Sequence, residues 1–215
     1  MTEIVAIDGP AGSGKSSVSK QVARQLGYGY LDTGAAYRAL AWAVQNKVIA
    51  DLESNPDAAL NAFEYSISLD PDVFWVKVSN RDVTDAIREP QISETVSQVA
   101  RIPEVRTYMK DLTLGLVNDS KRPGVVVEGR DITTVVAPHA KNRLLLTASE
   151  EVRLRRRSAE LAPEAAKNVE RQVSQRDAQD AKVVDFMTPA PGVKLVDSTD
   201  LNFEQTVSAV LEAIR

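Results

Sequence analysis

The stretch GPAGSGKS, residues 9–16, satisfies the pattern G-x-x-x-x-G-K-[ST] and restricts what this chain can fold into more than any other. Its glycines allow a backbone curl in which successive N–H groups point inward at an anion. A helix starting at the lysine adds the positive end of its dipole. Such a loop works only after a buried strand and before a helix, and the flanking sequence predicts both. EIVAID (3–8) is a short β-branched run stopped by Gly9-Pro10. Beyond Lys15, the residues Val18, Val22, Ala23 and Leu26 share one helical face, and Gly27 is a natural stop. This is the first half of a βαβ unit carrying a phosphate-binding loop (P-loop). Gly9, Pro10, Ala11, Gly12, Ser13, Gly14, Lys15, Ser16 and Ser17 are the candidate cradle for the triphosphate of ATP. Within it, Lys15 reaches the β- and γ-phosphates, and the Ser16 hydroxyl belongs on Mg²⁺.

The rest of the chain extends the same architecture. Buried strands are predicted at 125–127, 143–147 and 193–196, and helices at 36–49, 149–160, 164–178 and 203–214. Strands alternating with helices imply a parallel sheet covered on both faces, a three-layer αβα fold. Residues 63–85 break the rhythm: two alternating runs flank Asp70-Pro71-Asp72, and an Asn80-Arg81-Asp82 turn follows. That predicts a small antiparallel β element inserted in the α/β core. A length of 215 residues suits one domain with such an insertion.

Composition narrows the partners. The net charge of -4 gives no global footprint for nucleic acid or an anionic membrane, so any basic site is local. Cysteine is absent, which excludes disulfides and thiolate metal sites. No apolar run approaches the roughly 20 residues of a membrane span, and the start of the chain has no basic leader, so a cytoplasmic location is expected.

The P-loop by itself fits a kinase, a GTPase switch or an ATPase motor, and four later stretches bear on the choice. YLDTGAAYR (30–38) sets Tyr37 and Arg38 at a helix start just past a Thr33-Gly34 turn. VVVEGRD puts Arg130 and Asp131 directly after a buried strand, where ligands of open parallel sheets bind. EEVRLRRRSAE gathers Arg153, Arg156 and Arg157 on adjoining helix faces, as an arginine-rich lid over transferring phosphates would. SQRDAQDAK spaces Arg176 and Asp180 four apart, which also suits a plain helix ion pair. The single histidine, His139, reads as a surface residue and not as a catalyst. Kinases of UMP, AMP or a small alcohol, and a P-loop ATPase, stay open on these residues alone.

Taken together, IDGPAGSGKSS, LDTGAAYR, SETVSQVARIPEVR, VVVEGRDI, LTASEEVRLRRR, QRDAQD and VDSTDLNFEQTV make the chain resemble the bacterial cytidylate kinases, of the nucleoside monophosphate kinase group. The resemblance runs over essentially the whole length. It implies a core of 1–38 and 101–215 with a lid near 150–170, and a CMP-binding domain of 39–100 containing the β insertion. It implies ATP and Mg²⁺, CMP or dCMP as acceptor, no nucleic acid or membrane partner, and a monomer. By the same resemblance, Thr33 and Arg106 address the cytosine beside Tyr37, and Asp131 accepts from its exocyclic amine. Arg38 and Arg130 clamp the acceptor phosphate, Ser97, Arg176 and Asp180 contact the sugar, and Arg153, Arg156 and Arg157 form the lid. Three positions depart from the family pattern. Thr133 stands where glycine is usual, Val183 where arginine is common, and Glu128 where aspartate is often found.

Overall fold

Strand β1 (Glu3–Asp8) alternates its side chains between two hydrophobic clusters: Val5 and Ile7 enter one, and Ala6 enters the other. The structure is a computed structural model that describes residues 2–159, 177, 178, 180, 181 and 184–214. Around β1 it builds a parallel sheet in the order β2-β6-β1-β7-β8, with β2 Gly29–Asp32, β6 Gly124–Gly129, β7 Asn142–Thr147 and β8 Lys194–Asp197. Helices α1 (Lys15–Leu26) and α7 (Phe203–Ile214) pack with Val126, Leu144 and Leu146 on one side. Helices α2 (Thr33–Gln45), α3 (Pro56–Asn61), α4 (Pro90–Val99) and α5 (Pro103–Asp119) pack with Leu31, Val125 and Val127 on the other. Helix α6 (Glu150–Ala159) follows β7. The α/β, three-layer expectation is met.

The inserted element is the expected antiparallel sheet, of β3 (Tyr65–Ile67), β4 (Val76–Val78) and β5 (Arg81–Asp82). Its turn centres on Ser79-Asn80, both left-handed, and not on Asn80-Arg81-Asp82, because Arg81 and Asp82 already pair with β4. The loop after β3 is tied to the core: the Tyr30 N–H donates to the Leu69 carbonyl, and Arg24 pairs with Asp72 at 2.7 Å. The buried residues of this insertion join the cluster on the α2 side, so one hydrophobic core runs through the insertion and that face of the sheet.

Several elements differ from their sequence expectation. Strand β2 has no counterpart among the expected strands, since four residues show no periodicity; pairing with β6 makes them a strand. Helix α2 begins at Thr33 and not at 36, because the Asp32 side chain caps it by accepting from the Ala35 N–H; Thr33-Gly34 is therefore its first turn. It ends at Gln45, short of 49. Residues 132–136 form a single π-helical segment where no helix was expected. The expected 164–178 helix lies outside the described residues except for 177 and 178, which are helical.

Candidate active site

The cradle forms as the glycines require. Gly12 and Gly14 both have left-handed backbones, and a Cβ on Gly12 would collide with the Arg153 carbonyl of α6. The loop therefore lies directly against the start of α6. A cavity of about 640 Å³ opens beside it, lined on this side by Ala11, Gly12, Gly14, Lys15, Ser16 and Ser17. Gly9, Pro10 and Ser13 lie behind this lining; the Ser13 side chain is buried without a hydrogen-bond partner among the described residues. The Lys15 ammonium donates to the Pro10 carbonyl at 3.3 Å.

The same cavity continues past the C-terminal ends of β2 and β6 to Thr33, Tyr37, Arg38, Ser97, Arg106, Arg130, Asp131, Arg157 and Asp180. Chain positions from 11 to 184 thus converge on one space, beyond the carboxyl edge of the sheet as the strand order requires. The Thr33 hydroxyl donates to the Glu128 carbonyl at 2.8 Å, an approach that only Gly129 permits, since a Cβ there would strike that hydroxyl. Arg106 and Asp131 form an ion pair of 2.7 Å. Burial pushes the Asp131 carboxyl upward, and the Arg106 charge pulls it partly back. Burial also raises the neighbouring Tyr37 phenol above its ordinary value, so it stays a neutral hydroxyl.

Arg153 and Arg156 bind the P-loop and its neighbours. Arg153 is buried, donating to Asp177 at 2.6 Å and to the Ala11 carbonyl at 2.9 Å. Arg156 donates to the carbonyls of Ser13, Ser198 and Leu201, joining the P-loop to the end of β8. Arg157 faces the cavity. Arg176, Val183 and the remainder of the expected lid, 160–170, lie outside the described residues.

Two of the family departures have a local account. Thr133 is buried, and its hydroxyl and N–H both donate to the Asp8 carboxylate, which also accepts from the Ile132 N–H. Asp8, at the end of β1, thus holds the π-helical turn behind Arg130 and Asp131, and burial raises its own carboxyl. Glu128 is buried and accepts from the Tyr30 hydroxyl at 2.6 Å; burial raises its carboxyl too, while Lys15 and the Ser16 hydroxyl oppose that rise. Its environment thus includes the expected metal-binding serine.

Other cavity residues escaped the sequence reading. Lys20 and Arg88 line the wall, each over the ring of Phe74. Arg88 sits in the turn whose Ile87 carbonyl accepts from Arg38. Its only sequence signal is one arginine in AIREP, which nothing marks as a site. Asp177, behind the cavity wall, has no local signal in QRDAQD that marks it as a partner of the P-loop.

A sequence model of the family described as cytidylate kinase matches residues 5–215. The chain belongs to the cytidylate kinase family. It is 43% identical to a cytidylate kinase of Cutibacterium acnes, covering 98% of this chain and 95% of that protein. It is 39% identical to one of Streptomyces avermitilis, covering 98% and 92%. A solved structure of an uncharacterized protein from Eubacterium ventriosum is 10% identical, covers 99% of this chain and 98% of its own, and superposes with a TM-score of 0.52, a likeness of fold alone.

Proposed function

We propose that this cytidylate kinase family member transfers the γ-phosphoryl group of ATP to CMP or dCMP, giving ADP and CDP or dCDP. The observation that carries the reading is the continuity of one cavity from the P-loop to Arg38, Arg130 and the Arg106–Asp131 pair. A phosphate oxygen of the acceptor attacks the γ-phosphorus, the bond to the β,γ-bridging oxygen breaks, and ADP leaves. The attacking oxygen is already anionic, so no general base is needed, and His139 is exposed and away from the cavity lining. Positioning and charge neutralisation remain for the protein to supply.

Lys15 and the loop N–H groups hold the triphosphate. The Ser16 hydroxyl beside buried Glu128 suits Mg²⁺, which when bound neutralises charge on the phosphates. Arg38 and Arg130, with Arg88 and Lys20 nearby, receive the acceptor phosphate. Thr33, Tyr37, Arg106 and Asp131 form the base pocket, and Ser97, Asp180 and Arg176 address the sugar. Residues 39–100 serve as the acceptor module and 1–38 with 101–215 as the core. A small alcohol acceptor fits this wall less well, because its arginines favour a dianion.

The test is ADP release in a coupled assay with ATP and Mg²⁺ across CMP, dCMP, UMP, AMP, GMP and shikimate. Turnover concentrated on CMP and dCMP is expected, and Lys15→Ala should abolish it with the fold intact. Preference for UMP would move the base pocket's specificity, and ATP binding without transfer to any acceptor would overturn the kinase reading.

A further inference from the structure

Arg130 is restrained from several directions at once. Its Nε donates to Asp180 at 3.0 Å, one Nη donates to Asp177 at 3.1 Å, and the other donates to the Gly9 carbonyl. The ring of Phe186 lies beneath it, 4.4 Å from Cζ. Asp177 is equally committed. It receives the Ala11 N–H of the P-loop at 3.1 Å and the Arg153 guanidinium at 2.6 Å. Three elements meet at this one carboxylate: the P-loop, the first turns of α6 and the turn after β6.

Phe186 is 1% exposed, and a local turn sets it: the Asp185 carboxylate accepts from the N–H groups of Met187 and Thr188 at 2.9 and 3.0 Å. A leucine would fill that apolar space as well, but would offer no π-face to a cation.

Stability is a weak reason for the arrangement. Two guanidinium groups and two carboxylates, all less than one quarter exposed, return through pairing roughly what their desolvation takes away. Orientation is the stronger reason. A guanidinium has five N–H donors in a fixed plane; three are engaged here, and the plane those three define aims the other two.

We infer that Asp177 and Phe186 are positioning residues for phosphoryl transfer: carboxylate and ring set the plane of Arg130, and Asp177 registers that plane to the P-loop. The inference rests on the kinase reading of the cavity. It has a signature that plain loosening of the fold lacks. Asp177→Asn removes one negative charge, so the pocket becomes more positive, and leaves one amide oxygen for the three donors that two carboxylate oxygens now share. ATP then binds at least as well, and turnover falls. Phe186→Leu changes no charge and removes only the ring beneath Arg130.

The experiment measures kcat with saturating ATP and CMP, and the Kd of ATP with Mg²⁺ by titration calorimetry, for the full-length wild type and both variants. Asp177→Asn should lower kcat by about 10²-fold, in the range for loss of one aligned group, with an ATP Kd no weaker than wild type. Phe186→Leu should lower kcat by about threefold to tenfold with the ATP Kd within about twofold, as befits one cation–π contact. A kcat for Asp177→Asn within threefold of wild type overturns the inference, as does ATP affinity falling in parallel with kcat. If Asp177→Asn does not fold, Phe186→Leu decides alone, and an unchanged kcat overturns it. Wild-type turnover is the reference: its absence refutes the kinase reading and the inference with it, whereas active wild type with unaffected variants refutes the inference only.

Discussion

Arg130 and Arg38 line the same cavity and are held in different ways. Arg130 follows a central strand and is fixed by two carboxylates, a P-loop carbonyl and an aromatic ring. Arg38 lies on α2 and donates to the Ile87 carbonyl and the Ser93 hydroxyl, at 3.2 and 3.4 Å. Both arginines make charge-assisted bonds, but Arg130 meets two carboxylates in addition to a carbonyl, so its plane is preset. The bonds of Arg38 to Ile87 and Ser93 tie it to the segment that packs against α2. One half of the proposed acceptor clamp, Arg130, is thus built into the sheet edge, while the other half, Arg38, is set by contacts with the region around the insertion. A clamp with one fixed and one adjustable arm suits a transfer enzyme that must admit a second nucleotide and then align its phosphate.

Three measurements would break or sharpen that contrast. The largest effect is expected from Arg130→Ala, which should lower kcat by about 10²–10³-fold while leaving ATP affinity near wild type. Equal losses in kcat and ATP affinity, read by turnover and calorimetry, would erase the distinction between a preset clamp and a general anion site. Arg38→Ala should act mainly on the KM for CMP, raising it by about tenfold to a hundredfold, since a charge-assisted bond contributes about 1.5–3 kcal/mol. A fall in kcat as deep as that of Arg130→Ala would place both arginines on the same footing.

The smallest effect concerns the fixed side's buried carboxyl, Glu128, read as stability against pH. Burial raises its value above the ordinary 4.5, so its ionised form opposes folding. The contribution of Glu128 to stability is full below 4.5 and is lost as pH rises through the raised folded-state value. Glu128→Gln escapes that loss and still offers an acceptor to the Tyr30 hydroxyl. Its melting temperature relative to wild type should therefore climb between pH 4 and pH 8. A flat difference would show Glu128 to be ionised without penalty, held by Lys15 and Ser16.

The parts of the molecule that could be read from sequence share one property: their determinants are adjacent in the chain. Strand β1, helix α1 and helix α7 have the boundaries their periodicity predicted. The P-loop, Arg38, Arg130, Asp131 and Arg106 could be named because each stands in a compact motif. Strand β2 could not, because four residues become a strand only on pairing with β6. The start of α2 shifted because a cap outweighed the pattern of apolar residues. Thr133, a departure when read as a letter, becomes intelligible once its hydroxyl is seen to donate to Asp8, 125 positions away.

The sequence by itself determined that this chain forms a parallel α/β fold around a phosphate-binding loop, with an antiparallel insertion and arginines in compact motifs at the ends of its elements. A glycine turn, a β-branched run and a helical stripe express their conformations through neighbours a few residues away, so order along the chain suffices. Only the tertiary structure decided that Asp177 would bridge Ala11, Arg130 and Arg153, that Phe186 would lie under Arg130, and that Arg88 and Lys20 would join the wall. Those roles depend on partners as far as 166 positions apart, brought together when the sheet stacks its strand ends and the hydrophobic effect closes its two faces. Hydrophobic burial is non-directional and chooses no such partners. The sites of charge are fixed afterwards, by whichever polar groups the packed elements bring within reach of one another.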